Sequence, residues 1–189
     1  MAASSPEEAL AILADDERDE PERIEAARAL GQHGTIASIA PMLSVLDRSE
    51  AGLALEIAAA LRSLNAGMVL SRELKLGTDA HRERAGMALL RIAEPRTLGA
   101  LLEATGDRAE KVRVQVYQAI ARLGGPKALE ALQGGLRDAS ADVRCLTANG
   151  LAKAGDRSAL PGLRAALEVE EDPLACDYLQ TAIRKLGGS

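Results

Sequence analysis

Residues 111–124 read KVRVQVYQAIARLG, and versions of this stretch return along the chain. The last apolar residue of each copy falls at Leu30, Leu64, Ile92, Leu123, Ala154 and Leu186, so the steps are 34, 28, 31, 31 and 32 residues. A nearly constant interval that is kept over six copies is typical of stacked-repeat proteins. The spacing therefore predicts an array of about six helical hairpins.

Within this stretch the apolar residues fall on one stripe of a 3.6-residue helix, namely Val112, Val116, Ala119, Ile120 and Leu123. We expect this stripe to be core. Gly124 and Gly125 end the helix. Pro126 can be the first residue of the next helix, because the N–H that proline lacks would have no hydrogen-bond partner within the helix at that position.

The same reading along the chain gives six hairpins at approximately residues 5–31, 35–65, 66–93, 95–124, 126–155 and 157–187. We predict an all-α fold, a right-handed α-α solenoid that forms a single domain over residues 1–189. The second helices of the fourth and fifth copies carry Arg113 and Arg144 near their starts. Each guanidinium is expected to reach an acidic group of a neighbouring repeat.

Composition argues against two kinds of site. Apolar residues make up 47% of the chain, but Phe and Trp are absent and Tyr117 and Tyr178 are the only aromatic residues. Most small-molecule pockets are lined with aromatic side chains, so we expect no deep pocket and no cofactor. The formal net charge of −5 and the lack of a Lys/Arg-rich tract argue against nucleic acid. A local Arg patch that forms only on folding remains an alternative.

The N-terminal sequence MAASSPEEAL has neither the basic nor the apolar region of a signal peptide. No apolar run approaches the roughly 18 residues that cross a bilayer. We therefore expect a cytoplasmic protein without membrane insertion, in which Cys145 and Cys176 are reduced and unlinked. A disulfide or a metal site at these two residues is the alternative, although two thiols without His partners make a poor zinc site.

The third copy is the least regular, with HRERAG at residues 81–86 where other copies are more apolar. His81, Glu83 and Arg84 could form a site. The other interpretation, which we prefer, is a degenerate repeat whose helix start is exposed. In the same way, the acidic segment DDERDEP at residues 15–21 could be a docking edge, but a solvated loop at the polar end of the array is favoured.

Residues 155–187, GDRSALPGLRAALEVEEDPLACDYLQTAIRKLG, and the copy before them resemble HEAT-like repeats of the short bacterial kind that is also seen in phycobilin lyase subunits. The matching features are the Gly-Asp turn at residues 155–156, Pro161, the Asp-Val-Arg opening at residues 142–144 and the terminal Leu-Gly. The resemblance implies a single HEAT-like repeat domain. In such a solenoid the first helices lie outside and the second helices line a concave face.

Placing the second helices in register predicts which residues face a partner: Leu55, Glu83, Val114, Tyr117, Gln118, Cys145, Ala148, Asn149, Asp177 and Gln180. The apolar members, Leu55, Val114, Tyr117, Cys145 and Ala148, would form a shallow strip suited to a partner helix or an extended peptide. The alternative is a register shifted by one residue, which would bury these side chains between repeats.

These observations favour a non-catalytic scaffold or adaptor that binds another protein. The resemblance also implies an alternative, a subunit of a bilin lyase-like enzyme, which attaches or removes a tetrapyrrole on a partner's cysteine. A second alternative is a HEAT-like protein that binds nucleic acid. Among the families that the sequence resembles, the deoxyhypusine hydroxylases bind iron through paired His-Glu dipeptides. This sequence has no His-Glu dipeptide, which excludes that activity. None of GxxxxGK[ST], GxGxxG, HExxH, CxxC or GxSxG occurs. We therefore expect no catalytic or metal-binding residues.

Overall fold

The computed structural model describes residues 5–187 and is all-α over that range, as predicted. Its helices are α1 (Pro6–Ala14), α2 (Glu20–His33), α3 (Ile36–Leu46), α4 (Ala51–Ser63), α5 (Ala66–Leu76), α6 (Asp79–Ile92), α7 (Leu98–Glu103), α8 (Glu110–Leu123), α9 (Pro126–Gly135), α10 (Ala141–Ala154), α11 (Leu160–Val169) and α12 (Pro173–Gly187). No single helix among them is both long enough and apolar enough to span a membrane. Counted together, α4 and α5 have the required length and apolar content, but the two helices are bent relative to each other.

Two of the first helices, α7 and α11, begin three residues after the predicted starts of their hairpins at residues 95 and 157. A 3₁₀ turn at Pro95–Thr97 precedes α7 and another at Ala104–Gly106 follows it, while Arg157–Ala159 forms a 3₁₀ turn before α11. Local side-chain hydrogen bonds hold the leading turns, because Thr97 Oγ1 donates to the Glu94 carbonyl at 2.7 Å and Asp156 Oδ1 accepts from the Ser158 N–H at 2.8 Å. Such bonds compete with the helical pattern and favour the tighter turn.

The chain folds as two compact units, unit 1 at Met1–Leu70 and unit 2 at Ser71–Ser189, with the division inside α5. The repeat spacing predicts one domain over residues 1–189, and this stays a prediction. The division falls in the first helix of the third copy, which the sequence marks as the least regular.

In unit 1, α1 packs against α2 and α3, and α2 packs against α4. Leu13, Leu30, Met42 and Ile57 are among the fully buried side chains of this core. The second helices α2 and α4 approach closely, since a Cβ added to Gly31 would lie 3.0 Å from the Ala60 Cα. Small residues at this contact let the two backbones meet.

In unit 2, the second helices α6, α8, α10 and α12 pack side by side in chain order. The first helices form the opposite side of each hairpin, with α7 against α8, α9 against α8 and α10, and α11 against α12. Four residues of the predicted core stripe of α8, Val112, Val116, Ala119 and Ile120, are fully buried, whereas Leu123 at the end of the helix is half-buried. The apolar stripe of each second helix therefore fills the space between the two layers of unit 2.

Candidate functional site

Three bidentate ion pairs connect successive repeats of unit 2. In each pair an Arg near the start of a second helix reaches a carboxylate 25 or 26 residues later: Arg82 with Asp107 (Nε to Oδ2, 2.7 Å), Arg113 with Asp138 (Nη2 to Oδ1, 2.8 Å) and Arg144 with Glu170 (Nη2 to Oε1, 2.6 Å). The prediction for Arg113 and Arg144 is confirmed. Sequence reasoning missed Arg82, although it lies 31 residues before Arg113 and so occupies the same repeat position.

The same guanidinium groups also fasten the loops between helices. Arg113 donates to the Asp107 carbonyl oxygen and Arg144 to the Asp138 carbonyl oxygen, both at 2.9 Å. The Asp138 carboxylate in turn accepts the backbone N–H of Ser140 at 2.8 Å. Each Arg thus fixes the loop before its own helix and the loop of the following repeat, which is a structural role.

The surroundings of these carboxylates keep them ionised. Burial alone would raise the pKa of Asp138, but hydrogen bonds from Arg113 and from the Ser140 N–H outweigh it, so that the pKa lies below its usual value. The same balance, with Arg82 and the Ala109 N–H as donors, lowers the pKa of Asp107. The Arg144 hydrogen bond lowers the pKa of Glu170. Carboxylates held in their charged form by salt bridges are structural partners rather than acid-base groups.

The structure corrects the predicted apolar strip. Tyr117 is 6% exposed, Cys145 is 7% exposed and Ala148 is fully buried, so none of the three offers surface to a partner. The Tyr117 ring lies against Gly135 of α9, where an added Cβ would be 2.7 Å from Tyr117 Cε1. Burial accordingly raises the pKa of the Tyr117 hydroxyl. These three residues are therefore buried, as the alternative register in the sequence analysis predicts.

The remaining residues of the predicted site lie at the surface. Leu55 is 63% exposed and lies on α4 in unit 1. In unit 2, Glu83, Val114, Gln118 and Asn149 are half-buried, and Asp177 and Gln180 are exposed. The accessible part of the predicted site in unit 2 is therefore mainly polar rather than apolar.

Two rows of side chains cross α8, α10 and α12 at equivalent positions, 31 and then 32 residues apart. The polar row consists of Gln118, Asn149 and Thr181, all half-buried, and the basic row consists of Arg122, Lys153 and Lys185, all exposed. Residues four apart lie on the same side of a helix, so each cation is one turn from a member of the polar row. We call the surface that carries both rows the second-helix face.

The sequence-based prediction contains two of the six residues of this face, Gln118 and Asn149. It omits Thr181, the equivalent residue of α12, and the whole basic row. Gln180 corresponds to the buried Ala148 in the repeat alignment; it is exposed because, within residues 5–187, no helix follows α12. The constant spacing of Arg122, Lys153 and Lys185 was the signal that could have revealed the basic row.

The other end of these helices is acidic. Glu110 and Asp142 lie in the first turns of α8 and α10, and Asp177 lies one turn into α12. Glu110 Oε1 accepts a hydrogen bond from Ser140 Oγ at 2.6 Å, whereas Asp142 and Asp177 are exposed. The second helices thus carry negative charge near their starts and positive charge near their ends, which complements the helix dipole.

The suggested site at His81, Glu83 and Arg84 does not converge on one point. His81 Nδ1 lies 3.1 Å from Thr78 Oγ1 at the helix start, and Arg84 Nη2 lies 3.6 Å from Glu73 Oε1 on α5. Among the residues that the structure describes, no group of three or more His, Cys, Asp or Glu side chains is arranged to hold a metal ion. Cys145 and Cys176 are both free thiols.

Two grooves lie elsewhere. One, of about 850 Å³, runs along α1 and α2 in unit 1 and is lined by Ile12, Arg18 and Ala29 among others. The other, of about 580 Å³, lies between α9 and α11 in unit 2 and is lined by aliphatic and charged side chains, including Leu136, Arg137 and Val169. The polar and basic rows lie outside both grooves.

The family profile of HEAT repeats matches residues 68–144, and the profile of the PBS lyase HEAT-like repeat matches residues 22–48. No curated protein sequence matches the chain. Among solved structures, the complex of CpcE and CpcF of phycocyanin lyase from Nostoc sp. PCC7120 contains a similar chain, with 22% identity, 78% of this chain and 98% of that chain covered, and a TM-score of 0.59.

Two designed proteins are similar over almost their whole length. A designed armadillo repeat protein in complex with the peptide (KR)4 is 20% identical, with 97% and 99% of the two chains covered and a TM-score of 0.54. A computationally designed armadillo repeat protein for modular peptide recognition is 21% identical, with 95% and 98% covered and a TM-score of 0.53. At these identities the likeness is one of fold, and it confirms the predicted class of helical repeat solenoids. The two family profiles match the HEAT-like repeat family that the sequence resembles.

Proposed function

We propose that this chain is a non-catalytic binding protein and that the second-helix face of unit 2 holds a segment of another polypeptide. The observation that carries the proposal is the polar row, Gln118, Asn149 and Thr181, at the surface of three adjacent helices. Amide and hydroxyl side chains both donate and accept hydrogen bonds. A peptide main chain also presents a donor and an acceptor at each residue, so the side chains of the polar row can form hydrogen bonds with it.

The spacing of the row suits an extended chain. Helices in contact lie roughly 8–10 Å apart, and α8, α10 and α12 are packed in sequence. An extended or polyproline II chain advances about 3.1–3.4 Å per residue, so one helix corresponds to three peptide residues. A peptide that crosses the three helices would meet a member of the polar row at every third residue.

The structural neighbours support this proposal at the level of fold. One of the designed armadillo repeat proteins was solved in complex with the peptide (KR)4, which demonstrates that a fold of this kind can hold a peptide. The likeness to the CpcE–CpcF complex is also one of fold. We do not extend it to a bilin lyase function, because no residue of the second-helix face argues for a tetrapyrrole.

Selection from a random peptide display library tests the proposal. Peptides selected on the full chain are measured against the variant Q118A/N149A/T181A and against the matched control K127A/Q133A/R164A, which removes three exposed polar side chains from the first helices. We expect at least a tenfold loss of affinity in the first variant and little change in the control, with equal melting curves. The proposal fails if selected peptides bind both variants equally well, or if the library yields no binder.

A further inference from the structure

We infer that the segment bound at the second-helix face is acidic and extended in the polyproline II conformation, with a carboxylate at every third residue. This inference rests on the proposed function, because it names the chemistry of the partner at the same face. Its evidence is the basic row, Arg122, Lys153 and Lys185, which the proposed function does not use.

The cations of the basic row differ from the other Arg residues of the same helices. Arg113 and Arg144 each form a bidentate ion pair and are largely buried. Within residues 5–187, no ion pair involves Arg122, Lys153 or Lys185, and all three side chains are exposed. Arg113 and Arg144 are therefore used in ion pairs within the fold, whereas the cations of the basic row are available to an external anion.

Helix-dipole compensation does not account for the distribution of the basic row. A cation in the last turn stabilises any helix, whichever layer the helix belongs to. In unit 2, α6, α8, α10 and α12 each have a basic residue in the last turn, whereas α7, α9 and α11 have none, and Lys75 in the last turn of α5 is paired with Glu103. The cations are therefore concentrated on the layer that carries the polar row.

A further cation reinforces the end of the row. Arg184 Nη2 donates to Thr181 Oγ1 at 3.0 Å, so that its guanidinium lies beside a member of the polar row. An acidic side chain that approaches Lys185 would meet this second positive group. Guanidinium groups bind carboxylates through two parallel hydrogen bonds, which adds specificity to the attraction of charge.

The conformation of the partner follows from the spacing. A polyproline II helix has three residues per turn and a rise of about 3.1 Å per residue, so its i and i+3 side chains lie on one side about 9.3 Å apart. This distance falls within the roughly 8–10 Å between packed helices. In a β-strand, by contrast, residues i and i+3 point to opposite faces. A polyproline II chain with a carboxylate at every third residue therefore places evenly spaced carboxylates over the basic row, whereas a β-strand with the same sequence does not.

The charges at the other end of the helices argue against nucleic acid. A nucleic-acid strand carries a charge at every nucleotide, and its phosphates would extend across the face. The exposed carboxylates of Asp142 and Asp177 lie on the same helices, toward their starts. A peptide of moderate charge can keep to the basic row, whereas a denser polyanion would meet repulsion from these carboxylates.

Binding of the synthetic peptide (EPP)4, measured by fluorescence anisotropy with the full chain at low salt, tests the inference. We expect (EPP)4 to bind at least tenfold more tightly than (KPP)4, and several-fold more tightly than the flexible (EGG)4, because the polyproline II chain is already ordered. Raising the ionic strength should weaken (EPP)4 binding. Equal binding of (EPP)4 and (KPP)4 would overturn the inference.

Charge reversal supplies the specific control. R122E/K153E/K185E should lose (EPP)4 binding, whereas K127E/R137E/R164E, which makes the same change in net charge on exposed residues outside the face, should retain it. A single-stranded oligonucleotide that binds more tightly than (EPP)4 and depends on the basic row would also overturn the inference. If display-selected peptides require the polar row but bind R122E/K153E/K185E unchanged, the inference fails and the proposed function stands.

Discussion

At the scale of single residues, the side chains that define unit 2 are three Arg residues rather than its apolar stripe alone. Arg82, Arg113 and Arg144 each bridge two repeats and hold a loop carbonyl. Their repeat spacing can be read from the sequence, and so can the presence of an acidic residue in each turn. The sequence does not show which carboxylate pairs with each Arg, because the pairing depends on how far one hairpin is displaced along the next.

Replacing Arg113 by Ala should destabilise the protein. The Arg113 and Asp138 side chains are 14% and 9% exposed, so R113A would leave a carboxylate without its partner in a mostly buried place. Breaking a buried pair costs about 3 kcal/mol or more in the free energy of unfolding. Urea unfolding followed by circular dichroism measures it.

The matched control for this experiment is R122A, which removes an exposed Arg from the same helix. Its free energy of unfolding should stay within about 0.5 kcal/mol of the parent value, as for most surface substitutions. Equal effects of R113A and R122A would show that the Arg113–Asp138 pair does not stabilise the fold.

Stability should also fall in acid. The pKa values of Asp107, Asp138 and Glu170 are lowered in the folded state, so these groups bind protons more readily when the chain is unfolded. Their stabilisation is complete above the unfolded pKa of about 4 and is lost as the pH falls through the lower folded values. The urea midpoint should be level from pH 7 to 5 and decline below 4.

The variant D138N tests the source of this pH dependence. It removes one of the three titrating groups, so the decline of its urea midpoint below pH 4 should be shallower than that of the parent. A midpoint that rises on acidification, or an unchanged slope in D138N, would contradict the assignment.

At the scale of helices, periodicity predicts the positions of the elements well and their rotation less well. The stripe from Val112 to Ile120 is core as expected, but Tyr117 lies at its edge. Whether an edge position is buried depends on the neighbouring hairpin, here on the contact of the Tyr117 ring with Gly135. The sequence of a single helix does not carry that information, so the helical pattern alone predicts the apolar strip at the surface.

Two adjacent glycines in α9 should respond oppositely to alanine. In G135A the new Cβ would overlap Thr147 Cγ2 and lie 2.7 Å from Tyr117 Cε1, so packing must shift at a cost of about 1–3 kcal/mol. In G134A the Cβ meets no atom within 4 Å, and the variant should gain about 0.5–1 kcal/mol from reduced entropy of the unfolded chain. Thermal melts of both variants measure the difference, and equal melting temperatures would contradict the packing described for α9.

At the scale of the whole molecule, the repeat spacing predicts the class of fold, and the two compact units divide within the shortest step, the 28 residues from Leu64 to Ile92. The equivalent of Arg82 in α4 is Ala54, so the Arg series of unit 2 does not extend to that helix. Function is less accessible from the sequence, because a binding face is defined by side chains of several repeats. The constant spacing of the basic row can be read from the sequence, but the exposure of its three side chains on adjacent helices is apparent only in the structure.

The most direct test of the central claim is a nitrogen-15 NMR titration of the full chain with a display-selected peptide. The side-chain amides of Gln118 and Asn149 give their own signals, and both should shift at the lowest peptide concentrations, together with backbone signals of α8, α10 and α12. Shifts confined to the first helices, or to the groove along α1 and α2, would contradict binding at the second-helix face.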